Sequence, residues 1–101
     1  MKVAFISGPY RGRTINEIAE NIQVAEKIAK KYWRMGYAVI CPHKNTAFFD
    51  GLIDDDIWLG GDLEILSRCD TCIMIDGWEG SKGARWELKM AQKYGLEVIY
   101  D

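Results

Sequence analysis

The stretch Lys2-Val3-Ala4-Phe5-Ile6-Ser7-Gly8-Pro9-Tyr10-Arg11-Gly12-Arg13-Thr14-Ile15-Asn16-Glu17 decides the fold. Its apolar run over residues 2–7 predicts a buried strand, which Gly8-Pro9 ends. Thr14 followed three residues later by Glu17 is a capping box, so a helix starts there. Beyond it Ile15, Ile18, Ile22, Ala25, Ile28, Ala29, Tyr32 and Trp33 recur at steps of three and four. That spacing gives an amphipathic helix with its apolar stripe against a sheet. Lys27, Lys30, Lys31 and Arg34 suit the dipole at its carboxyl end, and Gly36 stops it. Strand, glycine-bearing loop and capped helix, in that order, open an α/β domain.

The rest of the chain repeats the alternation. Tyr37-Ala38-Val39-Ile40-Cys41 predicts a second strand ended by Pro42. Residues 42–56 read as a long irregular stretch, the kind that is functional or mobile in a compact domain. A short helix is expected to start at Ile57 or Asp62, with Gly60-Gly61 blurring its start, and to run to Ser67. A third strand follows over 71–75, a helix from about Ser81 to Tyr94 with Gly95 as its stop, and a fourth strand over 96–100. The expectation is one domain over residues 1–101: a flavodoxin- or Rossmann-like three-layer α/β fold with a small parallel sheet of about four strands. In such sheets ligands bind beyond the carboxyl ends of the strands, which selects Gly8 to Arg13, Pro42 to Asn45 and Asp76 to Gly83.

Bulk properties narrow the function classes. The 101 residues carry 13 basic and 15 acidic side chains, a net charge of −2. That balance argues against a partner that is a nucleic-acid polymer, yet leaves room for a small nucleotide, which needs only a few local donors. No stretch approaches a membrane span. The amino terminus reads as a strand rather than a signal peptide, so the expected location is cytoplasmic. Three cysteines, Cys41, Cys69 and Cys72, argue against a disulfide framework. The Cys69-Asp70-Thr71-Cys72 spacing admits a zinc site, but the strand run around Cys72 favours core packing, and no metal or other cofactor is expected.

Three segments carry candidate chemistry. In the first loop, Gly8 and Gly12 let backbone N–H groups approach an anion while Arg11 and Arg13 add charged donors. The competing reading is an ordinary turn with solvated arginines. In the second, Ser81 suits the cap of a helix aimed at the strand ends, Gly83 lies in its first turn, and Glu87 lies one to two turns inside it. Glu87 either faces a pocket or is a surface glutamate pairing with Lys82, Arg85 or Lys89. In the third, Asp62 is a pocket acid or the cap of a short helix. His43 follows a strand end and can touch a ligand, but forms no catalytic triad by spacing. Trp33 reads as core, whereas Trp58 and Trp78 suit stacking on a base or packing at a dimer interface.

Taken together, Ile6-Ser7-Gly8-Pro9-Tyr10-Arg11-Gly12, Pro42-His43, Gly61-Asp62-Leu63-Glu64-Ile65-Leu66 leading to Asp70, and Ser81-x-Gly83-x-x-x-Glu87-Leu88 resemble the nucleoside 2-deoxyribosyltransferase superfamily. The chain looks closest to its small phage-associated and bacterial branch, with features of the 2'-deoxynucleoside 5'-monophosphate N-glycosidases. The resemblance implies Glu87 as nucleophile, Asp62 as the acid that contacts the base or assists its departure, and Tyr10 as the residue that orients Glu87. It implies Gly8, Arg11, Gly12, His43, Ser81 and Gly83 as substrate-binding positions. Nucleoside transferases of that superfamily tend to carry aspartate six residues before the nucleophile, and the monophosphate glycosidases serine. Ser81 stands there, which tilts the implied substrate toward a nucleoside 5'-monophosphate. Lys89 departs from the family's frequent glycine after the nucleophile's leucine. The implied activity is hydrolysis or transfer at an N-glycosidic bond in a homo-oligomer. The alternative is a nucleotide-binding module on the same fold that cuts nothing.

Overall fold

The computed structural model describes residues 1–101. The chain runs β1 (Val3–Ser7), α1 (Ile15–Arg34), β2 (Ala38–Ile40), α2 (Pro42–Asn45), α3 (Asp55–Ser67), β3 (Thr71–Met74), a 3-10 turn over Trp78–Gly80, α4 (Lys82–Lys93) and β4 (Glu97–Tyr100). The four strands form one parallel sheet in the order β2-β1-β3-β4. The α/β expectation and the flavodoxin-like arrangement therefore hold.

The period-two alternation of β1 sorts its side chains between two layers. Ala4 and Ile6 pack with Ala25, Ala29 and Tyr32 of α1 on one face. Phe5 packs with Leu66 of α3 and with Ala84, Leu88 and Ala91 of α4 on the other. Phe5, Ile6, Leu66 and Ile73 are completely buried, each contributing roughly 1.5–3 kcal/mol against exposure. β1 and β3, the central strands, are buried along nearly their whole length, as expected when helices cover both faces.

Several local expectations shift. Thr14 Oγ1 accepts from Glu17 N at 3.1 Å, but the Glu17 carboxylate reaches back to the N–H of Arg13, one residue beyond the usual capping-box partner. The stripe of α1 centres on Ile22, Ala25, Ala29 and Tyr32, which leaves Ile15 and Trp33 exposed on its flanks. Trp33 is thus not core. The stretch 42–56 is not wholly irregular, since Pro42 opens α2 from the favoured first helical position. α3 begins at Asp55 rather than Ile57 or Asp62. Asp55 and Asp56 in its first turn suit the positive end of the dipole, and Gly60-Gly61 is carried inside the helix. No helix is long and apolar enough to cross a membrane.

The strand order explains where a site can form. From β1 the chain moves outward to β2, then crosses back to β3 and on to β4. Connections leaving β1 and β3 therefore diverge to opposite faces and open a crevice between their carboxyl ends. Gly8 sits at that point, where an added Cβ would lie 2.8 Å from Ile75 Cβ. Only glycine lets the two strand ends approach this closely.

Candidate active site

A cleft of about 980 Å³ lies over the ends of β1 and β3. Its floor is Glu87. This residue shares the inward face of α4 with Ala84, Leu88 and Ala91, and it is only 8 % exposed. The surface pairing with Lys82, Arg85 or Lys89 does not occur. Arg85 Nη1 instead donates to the Glu79 carbonyl at 2.7 Å, and Lys89 Nζ stands 5.4 Å from the centre of the Trp86 ring. The partner of Glu87 is Ser7, whose Oγ donates to Glu87 Oε1 at 2.6 Å. Burial pushes the Glu87 carboxyl up to about 8, with the hydrogen bond from Ser7 opposing that rise and the charge of Asp62 adding to it. Burial thus favours the protonated form of Glu87 over the ionised one.

Asp62 does not cap a helix. It lies in the second turn of α3, half-buried, with its side chain on the cleft wall, where burial raises its carboxyl to about 6. The two carboxyls thus belong to different helices and meet in one cleft. Their environments push them to different degrees, an arrangement that suits acid–base work.

No hydrogen bond joins Tyr10 to Glu87, the residue the resemblance implies it orients. Tyr10 lines the cleft, but its hydroxyl donates to Asp50 Oδ1 at 2.7 Å and accepts from Phe48 N at 2.9 Å. It ties the first loop to the segment after α2. The side chain that hydrogen-bonds Glu87 is that of Ser7, which ends β1. Sequence reasoning missed Ser7 in that role. The available signal was period two: Ser7 shares the core-facing side of β1 with Phe5, and a buried hydroxyl needs a partner.

The remaining positions divide. Gly8, Arg11, His43, Ser81 and Gly83 line the cleft with Tyr10, Asp62 and Glu87. Gly12 does not. It faces the first turn of α1, where a side chain would collide with Glu17, so its glycine serves packing. Arg11 Nη2 meets Asp55 Oδ2 at 2.6 Å at the cleft mouth. His43 is buried in α2, with Nε2 2.9 Å from the Pro9 carbonyl. Burial lowers its pKa, so the ring is neutral, and donation by Nε2 leaves Nδ1 an unpartnered acceptor. Ser81 caps α4 through Ala84 N at 3.2 Å, and the N–H groups of Lys82 and Gly83 have no partner within the helix. Trp58 lines the cleft from α3 with Phe49 tilted against it, while Trp78 packs on Tyr100 away from it. Cys69 and Cys72 lie in the core beneath α4, and burial pushes the Cys72 thiol up to about 12.

The chain is similar in structure to a 2-deoxyribosyltransferase from the psychrotolerant bacterium Bacillus psychrosaccharolyticus, with a TM-score of 0.67 and 19 % identity, over 97 % of this chain and 70 % of that one. No curated protein matches the sequence. Residues 1–100 match the family described as Domain of unknown function (DUF4406). The structural likeness extends over almost the whole sheet and its helices, so the deoxyribosyltransferase fold is the frame on which this cleft is built, and the chain belongs to the DUF4406 family.

Proposed function

We propose that this protein cleaves the N-glycosidic bond of a nucleoside 5'-monophosphate, with Glu87 as nucleophile. The observation that carries the reading is a carboxyl buried at the floor of a nucleotide-sized cleft, anchored through one oxygen and faced by a second carboxyl from another helix. A glutamate shut away from water and unpaired with any cation costs stability, and such costs concentrate where chemistry needs them.

In this mechanism the free oxygen of ionised Glu87 attacks C1' opposite the base, through an oxocarbenium-like transition state. The C1'–N bond breaks, its electron pair stays on the base, and the Asp62 proton neutralises the departing nitrogen. Water then attacks C1' of the glycosyl ester and gives its proton to Asp62, and Glu87 leaves as carboxylate. A second base in place of water makes the reaction a transfer. The N–H groups at the start of α4, the Ser81 hydroxyl and Arg11 hold the phosphate. The Arg11–Asp55 pair must open for this. Ser81 favours a monophosphate because an aspartate there would repel it. Tyr10 shapes the mouth through Asp50.

The reactive combination is Glu87 ionised with Asp62 protonated. Burial raises both carboxyls and raises Glu87 further than Asp62, so this is the minor of the two singly protonated forms. Bound substrate enriches it, since a developing positive charge at C1' favours ionised Glu87. The second reading, a nucleotide-binding module, draws support from the burial of Glu87, which favours its protonated, non-nucleophilic form.

The test is incubation with each deoxy- and ribonucleoside 5'-monophosphate, following free base by chromatography beside Glu87→Ala. Release that falls by about a thousandfold or more in the variant supports the nucleophile. Tight binding of intact nucleotide with no release from monophosphates, or from deoxynucleosides with an acceptor base, replaces it with the binding module.

A further inference from the structure

Ser7 is the last residue of β1 and lies on the side of the strand that meets α4. It is fully buried. Its hydroxyl spans from the sheet to the helix layer and joins residues 80 positions apart in the chain. A buried hydroxyl left without a partner costs about 1–3 kcal/mol, so serine at a core-facing strand position calls for a reason beyond packing. The reason on hand is Glu87 Oε1, which Ser7 meets at 2.6 Å.

We propose that Ser7 is the positioning residue of this site, holding Oε1 of Glu87 so that Oε2 is the oxygen presented to C1' of the substrate. The assignment rests on the reading of Glu87 as nucleophile. A carboxyl held at one oxygen loses rotation about its last torsion, and attack geometry is set before substrate arrives.

The same bond governs the charge of the nucleophile. The groups that face Glu87 are Ser7 from β1, Asp62 from α3 and the neutral Cys72 thiol from β3. Its own helix offers no cation, because Arg85 is turned to the Glu79 carbonyl and Lys89 to the Trp86 ring. Burial and Asp62 both favour the protonated form, and Ser7 alone favours the ionised one. Donation to a carboxylate stabilises its charge, so removing the hydroxyl lowers the reactive fraction.

The experiment pairs two readouts on the parent, Ser7→Ala and Ser7→Thr. One is the titration of Glu87 in the free protein, followed by carboxyl carbon NMR. The other is the pH dependence of base release from a deoxynucleoside 5'-monophosphate. Ser7→Ala is expected to move the Glu87 titration, and the kinetic limb near pH 8, upward by about one unit. It is expected to lower kcat by about ten- to a hundredfold while KM stays within about threefold. Ser7→Thr, which keeps the hydroxyl, restores most of both. A titration and a limb that stay in place in Ser7→Ala overturn the assignment, and release that still depends on Glu87 then leaves the nucleophile reading intact. A titration that moves while no variant releases base supports the Ser7–Glu87 coupling and removes the nucleophile reading. If Ser7→Ala does not fold, Ser7→Cys, similar in volume with a weaker donor, carries the same comparison.

Discussion

The guanidinium of Arg11 and the carboxylate of Asp55 meet at 2.6 Å across the mouth of the cleft, joining the loop after β1 to the first turn of α3. Both side chains are about two-thirds exposed, so the pair adds no more than about 1 kcal/mol to stability. Its interest is competitive, because the cation proposed for the phosphate is already held by an anion. Asp55→Asn is expected to lower KM for a nucleoside 5'-monophosphate several-fold and leave KM for the nucleoside unchanged. Arg11→Ala is expected to raise the former by about ten- to a hundredfold. Steady-state kinetics on both substrates decide it, and equal effects on both would remove Arg11 from the phosphate.

The pH–rate profile follows from the two carboxyls. Ionised Glu87 and protonated Asp62 together give a bell in kcat/KM, with a rising limb near pH 6 and a falling limb near pH 8. Asp62→Asn is expected to abolish the falling limb, because no proton remains to be lost from the base-assisting group. The rate then climbs with pH as Glu87 ionises. A profile flat from pH 5 to 9 in the parent would contradict the pair.

Stability has its own pH dependence. The folded-state pKa of Glu87 is raised above its unfolded value, so folding favours the proton, and stability from this group falls as pH rises from about 4.5 to about 8. The loss levels off above the folded value. Glu87→Gln keeps the shape and drops the charge. It is expected to be more stable than the parent at pH 9, by roughly 3–5 kcal/mol if the whole shift is expressed. Little difference is expected near pH 4. Thermal unfolding at both pH values measures it.

Tyr10→Phe removes two hydrogen bonds that tie the first loop to residues 48 and 50. Faster amide exchange at Phe48 is expected, with kcat reduced less than about tenfold, because the hydroxyl does not touch Glu87. A loss on the scale of Glu87→Ala would restore a direct role for Tyr10 in the chemistry.

Gly8→Ala is a packing test of the crevice itself. The new Cβ would press on Ile75 at the point where β1 and β3 part. A destabilisation of about 1–3 kcal/mol is expected, read as a lower midpoint in denaturant. Gly83→Ala meets open space and is expected to leave the midpoint nearly unchanged.

Much of this protein was legible residue by residue. The apolar run of β1, the Thr14–Glu17 cap, the three- and four-residue steps of α1 and the glycine at position 36 specify a strand–helix unit through local physics alone. Alternation of such units leaves few choices besides a parallel sheet. The candidate site was legible in part for the same reason: loops after strand ends hold ligands in such sheets, and Gly8, Arg11, His43, Ser81, Gly83, Asp62 and Glu87 do share one cleft. Three things needed the tertiary structure. One was the burial of Glu87, because helical spacing gives its face but not what covers it. Another was the partner of Glu87, since Ser7 stands 80 residues away and nothing local joins them. The last was the division between Tyr10, which holds a loop, and Gly12, which makes room for Glu17. Hydrogen bonds and close contacts between distant segments depend on distances of a few tenths of an ångström, and those are set only when the layers have packed.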